Sequence, residues 1–210
     1  MPRRTAVTPA RAAIPLRWVV VSAVVLVMLA AAVTYLVTSG TAATGEPAAR
    51  IAISGAALPA LPAEGGDPAV GQQLPTLTGT SPSGEPVVIG PSGAPQVVAV
   101  MAHWCNHCQA EVPRIVDWLR TNDWPNGATL TTLSTAIDAA RPNYPPSTWL
   151  AREGWTAPVL TDDAASSGLA ALGIPSFPGF VFVNSDGTVA GRAVGELPMH
   201  QLAAMVAALR

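Results

Sequence analysis

Met101-Ala-His-Trp-Cys-Asn-His-Cys-Gln-Ala-Glu-Val-Pro113 is the stretch that decides the fold of this chain. The apolar run at residues 96–102 leads into it and predicts a β-strand buried on both faces. Apolar residues then recur at helical spacing and predict a helix over residues 105–120, namely Val112, Ile115, Val116 and Leu119. Cys105 therefore stands at the junction where a buried strand gives way to a helix.

The two cysteines of this stretch have the spacing of a redox-active pair. At the start of a helix, unpaired N–H groups and the helix dipole stabilise an anion, which favours Cys105 as the thiolate that attacks disulfides. Cys108 lies one turn further on, where we expect it to be buried beneath Cys105 and to resolve the mixed disulfide. The chain has 2 cysteines in all, so the pair is either redox-active or half of a metal site. A structural disulfide or two inert core thiols is the plainer alternative, which the strand–helix junction disfavours.

Strands and helices alternate through the folded part of the chain, which we expect to span residues 66–210. This order predicts the α/β class, with a mixed β-sheet flanked by helices. The predicted elements are a hairpin within residues 71–90, strands at 96–102, 128–137, 157–160, 180–183 and 188–194, and helices at 105–120, 147–153, 164–172 and 197–209.

The beginning of the chain has the pattern of a membrane anchor. Residues 18–37 form a run of 20 residues without a charge, which as a transmembrane helix is about 30 Å long, the thickness of the hydrocarbon layer. Arginines lie on its N-terminal side only, at positions 3, 4, 11 and 17, which predicts that residues 1–17 stay in the cytoplasm. The alternatives are a signal peptide cleaved near residue 43 and a twin-arginine signal at Arg3 and Arg4.

Composition changes again after the predicted anchor. Residues 38–65 are rich in Ala, Gly, Pro and Thr without a sustained period, which predicts a flexible linker. From residue 38 onward the chain has 7 arginines against 13 acidic residues and no lysine. Because an acidic surface repels phosphate backbones, we expect no nucleic-acid partner.

Three further features accompany the cysteine pair. Trp104 directly precedes the first cysteine, and Glu111 and Pro113 follow the second. Pro178 stands within Phe-Pro-Gly-Phe-Val-Phe-Val-Asn-Ser-Asp-Gly at residues 177–187. These residues resemble the W-C-x-x-C, C-x-x-E-x-P and P-T-x-F-x-I-D-x-D-G motifs of the thioredoxin superfamily, and most of all its membrane-anchored bacterial TlpA/ResA-type branch.

The resemblance covers residues 66–210 and implies a thioredoxin-like fold. It implies that Pro178 is a cis-proline lying against the cysteine pair, and that its neighbours Phe177 and Gly179 contact the substrate. It also implies that Glu111 is buried under the site, where a raised pKa lets it exchange a proton with the second cysteine. The spacing alone also allows Glu111 to be an exposed charge on the helix.

The motifs disagree about the direction of electron flow. Glu111 and the TlpA/ResA-like frame imply a disulfide reductase, with Trp104 as a shield over the site. The dipeptide Asn106-His107 departs from that family's common x-Pro, and His107 resembles the strongly oxidising DsbA type. A protonated imidazole there stabilises the Cys105 thiolate and raises the reduction potential, but one partly protonated histidine moves it only by on the order of tens of millivolts. We therefore expect an intermediate potential and a reductase, with a DsbA-like thiol oxidase as the alternative.

Metal binding is the rival from another functional class. His103, Cys105, His107 and Cys108 are donors of the kind that bind copper(I). Copper-delivering members of the superfamily usually carry C-x-x-x-C with a distant histidine, and these two histidines flank the pair too tightly to complete a zinc tetrahedron. A peroxidase is disfavoured because no Thr-x-x-Cys opens the helix. We expect no metal and no cofactor, and we interpret His103 as a bystander and the proline-rich loop at residues 141–146 as a plain connection.

The predicted partners follow from the predicted anchor and the thiol chemistry. They are thiols and disulfides of exported proteins, with apocytochrome c before haem attachment the foremost, and a second membrane protein that supplies or accepts electrons. We expect a monomer in the bacterial cell membrane, crossing it once, with the C-terminal domain outside the cytoplasm.

Overall fold

The computed structural model of the chain describes residues 28–29 and 49–210. The predicted cytoplasmic segment 1–17, nearly all of the predicted membrane span 18–37 and the start of the predicted linker lie outside the described residues. In the part of the chain that is described, no helix combines the length and the apolar character needed to cross a membrane. Residues 49–210 belong to one compact unit.

Every strand and helix predicted between residues 66 and 210 is present, with bounds that differ by a few residues. A further strand precedes them, and a short turn of 3₁₀-helix follows the first helix at Pro125–Gly127. In chain order the elements are β1 Ala52–Ser54, β2 Thr76–Thr80, β3 Pro86–Ile89, β4 Gln96–Met101, α1 Asn106–Leu119, β5 Thr129–Ser134, α2 Pro146–Glu153, β6 Val159–Thr161, α3 Ser167–Leu172, β7 Gly179–Val183, β8 Val189–Val194 and α4 Met199–Ala207.

Strand β4 is the middle of a five-stranded sheet with the order β6-β5-β4-β7-β8. β5 runs parallel to β4 and β6 runs parallel to β5, whereas β7 and β8 are each antiparallel to the strand before them in the sheet. β1, β2 and β3 form a separate antiparallel sheet, in which β2 and β3 are the predicted hairpin. The predicted α/β fold with a mixed sheet is confirmed.

Apolar layers cover both faces of the five-stranded sheet. Val97, Ala99 and Met101 of β4 pack into one cluster with residues of α1 and α4. Val98 and Val100 point the opposite way, into a second cluster with residues of α3 and the three-stranded sheet. Because side chains alternate between faces along a strand, a strand between two apolar layers has a continuous apolar sequence. This packing fixes the end of β4, and with it the position of the first cysteine.

Residues 49–65 are part of the folded domain, so the predicted linker at 38–65 is wrong over this stretch. β1 pairs with β2 through residues 52–54. Leu58 is buried, and its N–H donates to the Ala171 carbonyl at 2.9 Å. Composition could not predict this, since the segment is held by strand β2 and by the carbonyl of Ala171, which lies 113 positions from Leu58 in the chain.

The Arg192 side chain fastens this segment to the domain from inside. It is fully buried, and its Nη1 donates to the carbonyls of Pro59, Leu172 and Gly173 at 2.8, 2.9 and 3.1 Å. Its Nη2 lies 2.6 Å from Asp67 Oδ1. Burial acts to raise the pKa of Asp67, but hydrogen bonds from Arg192 and from the Ala69 N–H outweigh it, so that the pKa lies below the usual value.

Arg192→Met should destabilise the fold by about 3–5 kcal/mol, because it removes the only cation beside the Asp67 carboxylate and a hydrogen-bond donor to three carbonyls in the described part of the chain. Urea unfolding of the purified chain measures this. Arg120→Met is the matched control, since Arg120 forms an exposed pair with Asp117 and its loss should cost less than about 1 kcal/mol. Equal stability of the two variants would mean that Arg192 does not anchor the segment.

Candidate active site

Cys105 occupies the cap position at the start of α1, as the sequence predicts. Its backbone is extended, with φ −77° and ψ 120°, and its N–H donates to the Ala102 carbonyl at 3.0 Å. Its own carbonyl accepts the first helical hydrogen bond, from Gln109 at 3.0 Å. The free N–H groups of the first turn therefore surround a thiol that is partly exposed.

Cys108 lies one turn further along α1 and is fully buried. The two thiols are close enough for a side-chain hydrogen bond, and both are in the reduced form. Burial raises the pKa of Cys108 far above its usual value, and the neighbouring Cys105 and Glu111 act in the same direction. The pair is thus asymmetric: one thiol is partly exposed to solvent, and the other is buried with a pKa so high that it needs a base before it can react.

The loop before β7 closes one side of the cysteine pair. The Phe177–Pro178 peptide bond is cis, and the Phe177 carbonyl accepts a hydrogen bond from Cys105 Sγ at 3.6 Å. The Phe177 ring meets Trp104 edge to face, with the ring centroids 6.0 Å apart. Gly179 is buried, and a Cβ there would lie 2.4 Å from Ile174 Cγ2. The glycine at this position, a departure from the family's threonine, is explained by close packing.

The loop after β5 lies beside the residues that precede the first cysteine. The interpretation of residues 141–146 as a plain connection is wrong, because residues of this loop contact His103 and Trp104. Trp104 Nε1 donates to the Ala136 carbonyl at 2.7 Å, and the Arg141 guanidinium lies 4.6 Å above the Trp104 ring centroid. The Tyr144 ring meets His103 edge to face. Residues of this loop thus hold Trp104 in place beside the first cysteine.

His103 is fully buried and is not the bystander that its position at a strand end indicates. Its Nδ1 lies 2.7 Å from the Pro142 carbonyl, which can only accept a hydrogen bond, so that nitrogen carries the hydrogen. Its Nε2 accepts the Asp138 N–H at 3.2 Å. The tautomer with its hydrogen on Nδ1 therefore satisfies both hydrogen bonds. These two bonds connect the loop after β5 to the residue that follows β4.

Glu111 is fully buried under the cysteine pair, which excludes the alternative of an exposed helix charge. Its carboxylate is hydrogen-bonded by the Arg114 guanidinium, and its Oε1 accepts the Leu197 N–H at 3.4 Å. Burial raises the pKa of Glu111 above the usual value, and the hydrogen bond from Arg114 offsets this only in part. The carboxyl group of Glu111 is close enough to the Cys108 thiol for its charge to raise the pKa of that thiol.

Two charged residues that sequence reasoning missed complete the site. Glu196 Oε2 accepts a hydrogen bond from Arg114 Nη2 at 2.7 Å, and its Oε1 lies 2.6 Å from His107 Nδ1. The hydrogen bond with His107, followed by that with Arg114, lowers the pKa of Glu196. His107 is 70% exposed and directs its ring nitrogen at this carboxylate. Asn106 is exposed at the first position of α1.

Metal donors do not converge at the cysteine pair. Among residues 49–210, no three or more His, Cys, Asp or Glu side chains are grouped so that they could hold a metal ion. His103, one of the donors considered from the sequence, has both nitrogens engaged by the backbone.

Comparison with known proteins places the fold. No family model matches the chain, and no curated protein matches it. Among solved structures, a thiol:disulfide interchange protein of the thioredoxin family from Chlorobium tepidum TLS has TM-score 0.53 and 22% identity, over 64% of this chain and 92% of its own. The chain has the thioredoxin fold.

Two further structures agree with this. StoA from Bacillus subtilis has TM-score 0.52 and 18% identity, over 66% of this chain and 98% of its own. MTB DsbF, a structure of mixed oxidised and reduced forms, has TM-score 0.52 and 20% identity, over 63% of this chain and 94% of its own. At these identities the likeness is one of fold, so the chemistry has to be argued from the site.

Proposed function

We propose that this chain is a thiol–disulfide oxidoreductase that acts on protein substrates through Cys105 and Cys108. The observation that carries the proposal is the asymmetry of the pair: a partly exposed thiol caps a helix, and a fully buried thiol lies one turn beneath it. A structural disulfide needs neither an open sulfur nor a base beside the buried one. Glu111 supplies such a base.

The proposed reaction has two exchange steps. The Cys105 thiolate attacks a substrate disulfide, forms a mixed disulfide and releases one substrate sulfur as a thiolate. Cys108 then passes its proton to the Glu111 carboxylate and attacks Cys105 Sγ, which releases the second substrate sulfur. Two electrons have moved to the substrate, and the chain holds the Cys105–Cys108 disulfide, which a donor must reduce again.

Cys105→Ser should abolish exchange with a disulfide-bonded protein substrate, because the remaining thiol is buried and protonated. Cys108→Ser should keep the attacking thiol but lose the resolving one, so that mixed disulfides accumulate. Non-reducing electrophoresis after incubation with a disulfide-bonded test protein measures both outcomes. The chain has 2 cysteines, so Cys105→Ser retains Cys108 as its one thiol. A mixed disulfide trapped by this variant would mean that Cys108, and not Cys105, is the attacking thiol.

We further propose that the chain works as a disulfide reductase of exported proteins, with apocytochrome c the first substrate to test. The arrangement of His107 supports this direction. The His107 Nδ1 atom is hydrogen-bonded to Glu196. When the imidazole is protonated, the negative charge of this carboxylate partly cancels its positive charge, so the imidazole stabilises the Cys105 thiolate less. When the Cys105 thiolate is stabilised less, the reduced form of the pair is less stable and the reduction potential is lower. The potential should therefore lie below that of a strong thiol oxidant.

His107→Pro should make the chain more reducing, by on the order of tens of millivolts, because it removes the remaining positive charge beside the thiolate. Proline is tolerated in the first turn of a helix, so α1 should still form. Equilibration with glutathione redox buffers gives the potential, and Asn106→Ala is the control at the exposed neighbouring position. A wild-type potential near that of the strongest thiol oxidants would favour the DsbA-like alternative.

We also propose that residues 18–37 anchor the protein in the cell membrane, with the catalytic domain outside the cytoplasm. The support is the sequence: an uncharged run of 20 residues with arginines on its N-terminal side only. This topology puts the cysteine pair in a compartment where disulfides of exported proteins form and must be corrected.

A reporter fused after residue 45 should be active if it requires export and inactive if it requires the cytoplasm. The positive-inside rule gives the reason, since the arginines before residue 18 retain the N-terminus. The matched control replaces those four arginines by glutamine, which should weaken the orientation. Recovery of the protein as a soluble form beginning near residue 44 would instead indicate a cleaved signal peptide.

A further inference from the structure

The Arg114 guanidinium connects the buried base of the active site to the surface. Its Nη2 donates both to the carboxylate of Glu111 and, at 2.7 Å, to Glu196 Oε2. Glu111 has no exposed side-chain surface, whereas the Arg114 side chain is 43% exposed. One amino group therefore bridges a carboxylate inside the protein and another at its edge.

In the described part of the chain, the groups that act on the charge of Glu111 come from helix α1 and from the segment before α4. Helix α1 contributes Arg114 and the Cys108 thiol. The segment before α4 contributes Glu196 and the Leu197 N–H. His107 reaches the cluster only through the second oxygen of Glu196. The charge state of the buried carboxylate is thus governed by one cation and one competing anion.

We propose that Arg114 and Glu196 are positioning residues for the resolving step: Arg114 holds Glu111 in the charged form that accepts the Cys108 proton, and Glu196 limits this by competing for the same guanidinium. The inference rests on the proposed thiol–disulfide exchange and adds a means of tuning it. Neither residue touches a reacting sulfur, so both act through Glu111.

The two residues have opposite effects on Glu111, and the sign of each follows from its charge. A buried carboxyl without a nearby cation stays protonated to higher pH, and a protonated carboxyl cannot accept a proton. Loss of Arg114 should therefore delay the resolving step until higher pH. Loss of the Glu196 charge leaves the guanidinium entirely to Glu111, which favours the anion and should extend the step to lower pH.

A two-phase reaction with dithiobis(nitrobenzoate) separates the two thiols in the full-length chain in detergent micelles. Attack by Cys105 releases one nitrothiobenzoate and leaves the other bound to Cys105 Sγ. Attack by Cys108 on that sulfur releases the second and closes the disulfide. The rate of the second phase, followed across pH, reports proton loss from Cys108.

Arg114→Gln should shift the pH midpoint of the second phase upward by about one unit, the size expected for an opposite charge in contact with a carboxyl. Glu196→Gln should shift it downward by a smaller amount, and Arg114→Lys should restore a midpoint close to that of the wild type. Arg120→Gln is the matched control, because Arg120 forms an i,i+3 pair with Asp117 on the same helix without facing the site. Its midpoint should not move.

The outcomes separate this inference from the proposed function. Two phases whose midpoints are unmoved by both variants, or moved in the same direction, would overturn the roles of Arg114 and Glu196 while leaving the exchange mechanism intact. A single phase, or none, in the wild type would overturn the exchange mechanism itself. The Glu196→Gln variant changes a side chain that is 32% exposed, so the test does not depend on Arg114→Gln folding normally.

Discussion

A carboxylate without contact to water must be paired or protonated, and Glu111 is buried beneath Cys108 under this constraint. The local solution is a guanidinium from the next turn of the same helix, together with a backbone N–H from the segment that enters α4. Both contacts lower the pKa of Glu111, against the effect of burial, beside a thiol whose own pKa burial has raised. The apolar cluster packs α1 against α4, and the Leu197 N–H adds a polar contact between Glu111 and the segment that leads into α4.

The same constraint acts at a second place in the domain, where Arg192 is buried with Asp67 and three backbone carbonyls. There the buried ion pair has no reaction to serve. It holds residues 49–65 against the rest of the domain, and its guanidinium donates to carbonyls that have no partner in a sheet or helix. Comparison of the two clusters shows one chemical rule used for structure in one place and, as we propose, for reactivity in the other.

Around the first cysteine, the candidate site includes two loops that contact the end of β4 and the residues after it. His103 and Trp104 each bind backbone atoms of the loop after β5, and Phe177 supplies a carbonyl from the loop before β7. Strand β4 and helix α1 thus position the Cys105 thiol. Hydrogen bonds from the residues that follow β4 hold the neighbouring loop in place. These loops lie beside the partly exposed first thiol, while Glu111 and the second thiol are fully buried.

The sequence by itself determined the order of strands and helices, the buried central strand, and the place of Cys105 at a helix start. These predictions rest on periodicity and spacing within short stretches of sequence. The resemblance to family motifs added the predicted positions of Glu111 and Pro178 beside the cysteine pair. The tertiary structure alone decided that Glu196 and Arg192 are site and anchor residues, and that residues 49–65 are folded. Arg114 lies 82 positions from Glu196, and Asp67 lies 125 positions from Arg192, so no local pattern records these two hydrogen bonds. The bonds form because the fold buries polar groups together, and a buried polar group has to find its partner wherever the chain brings one.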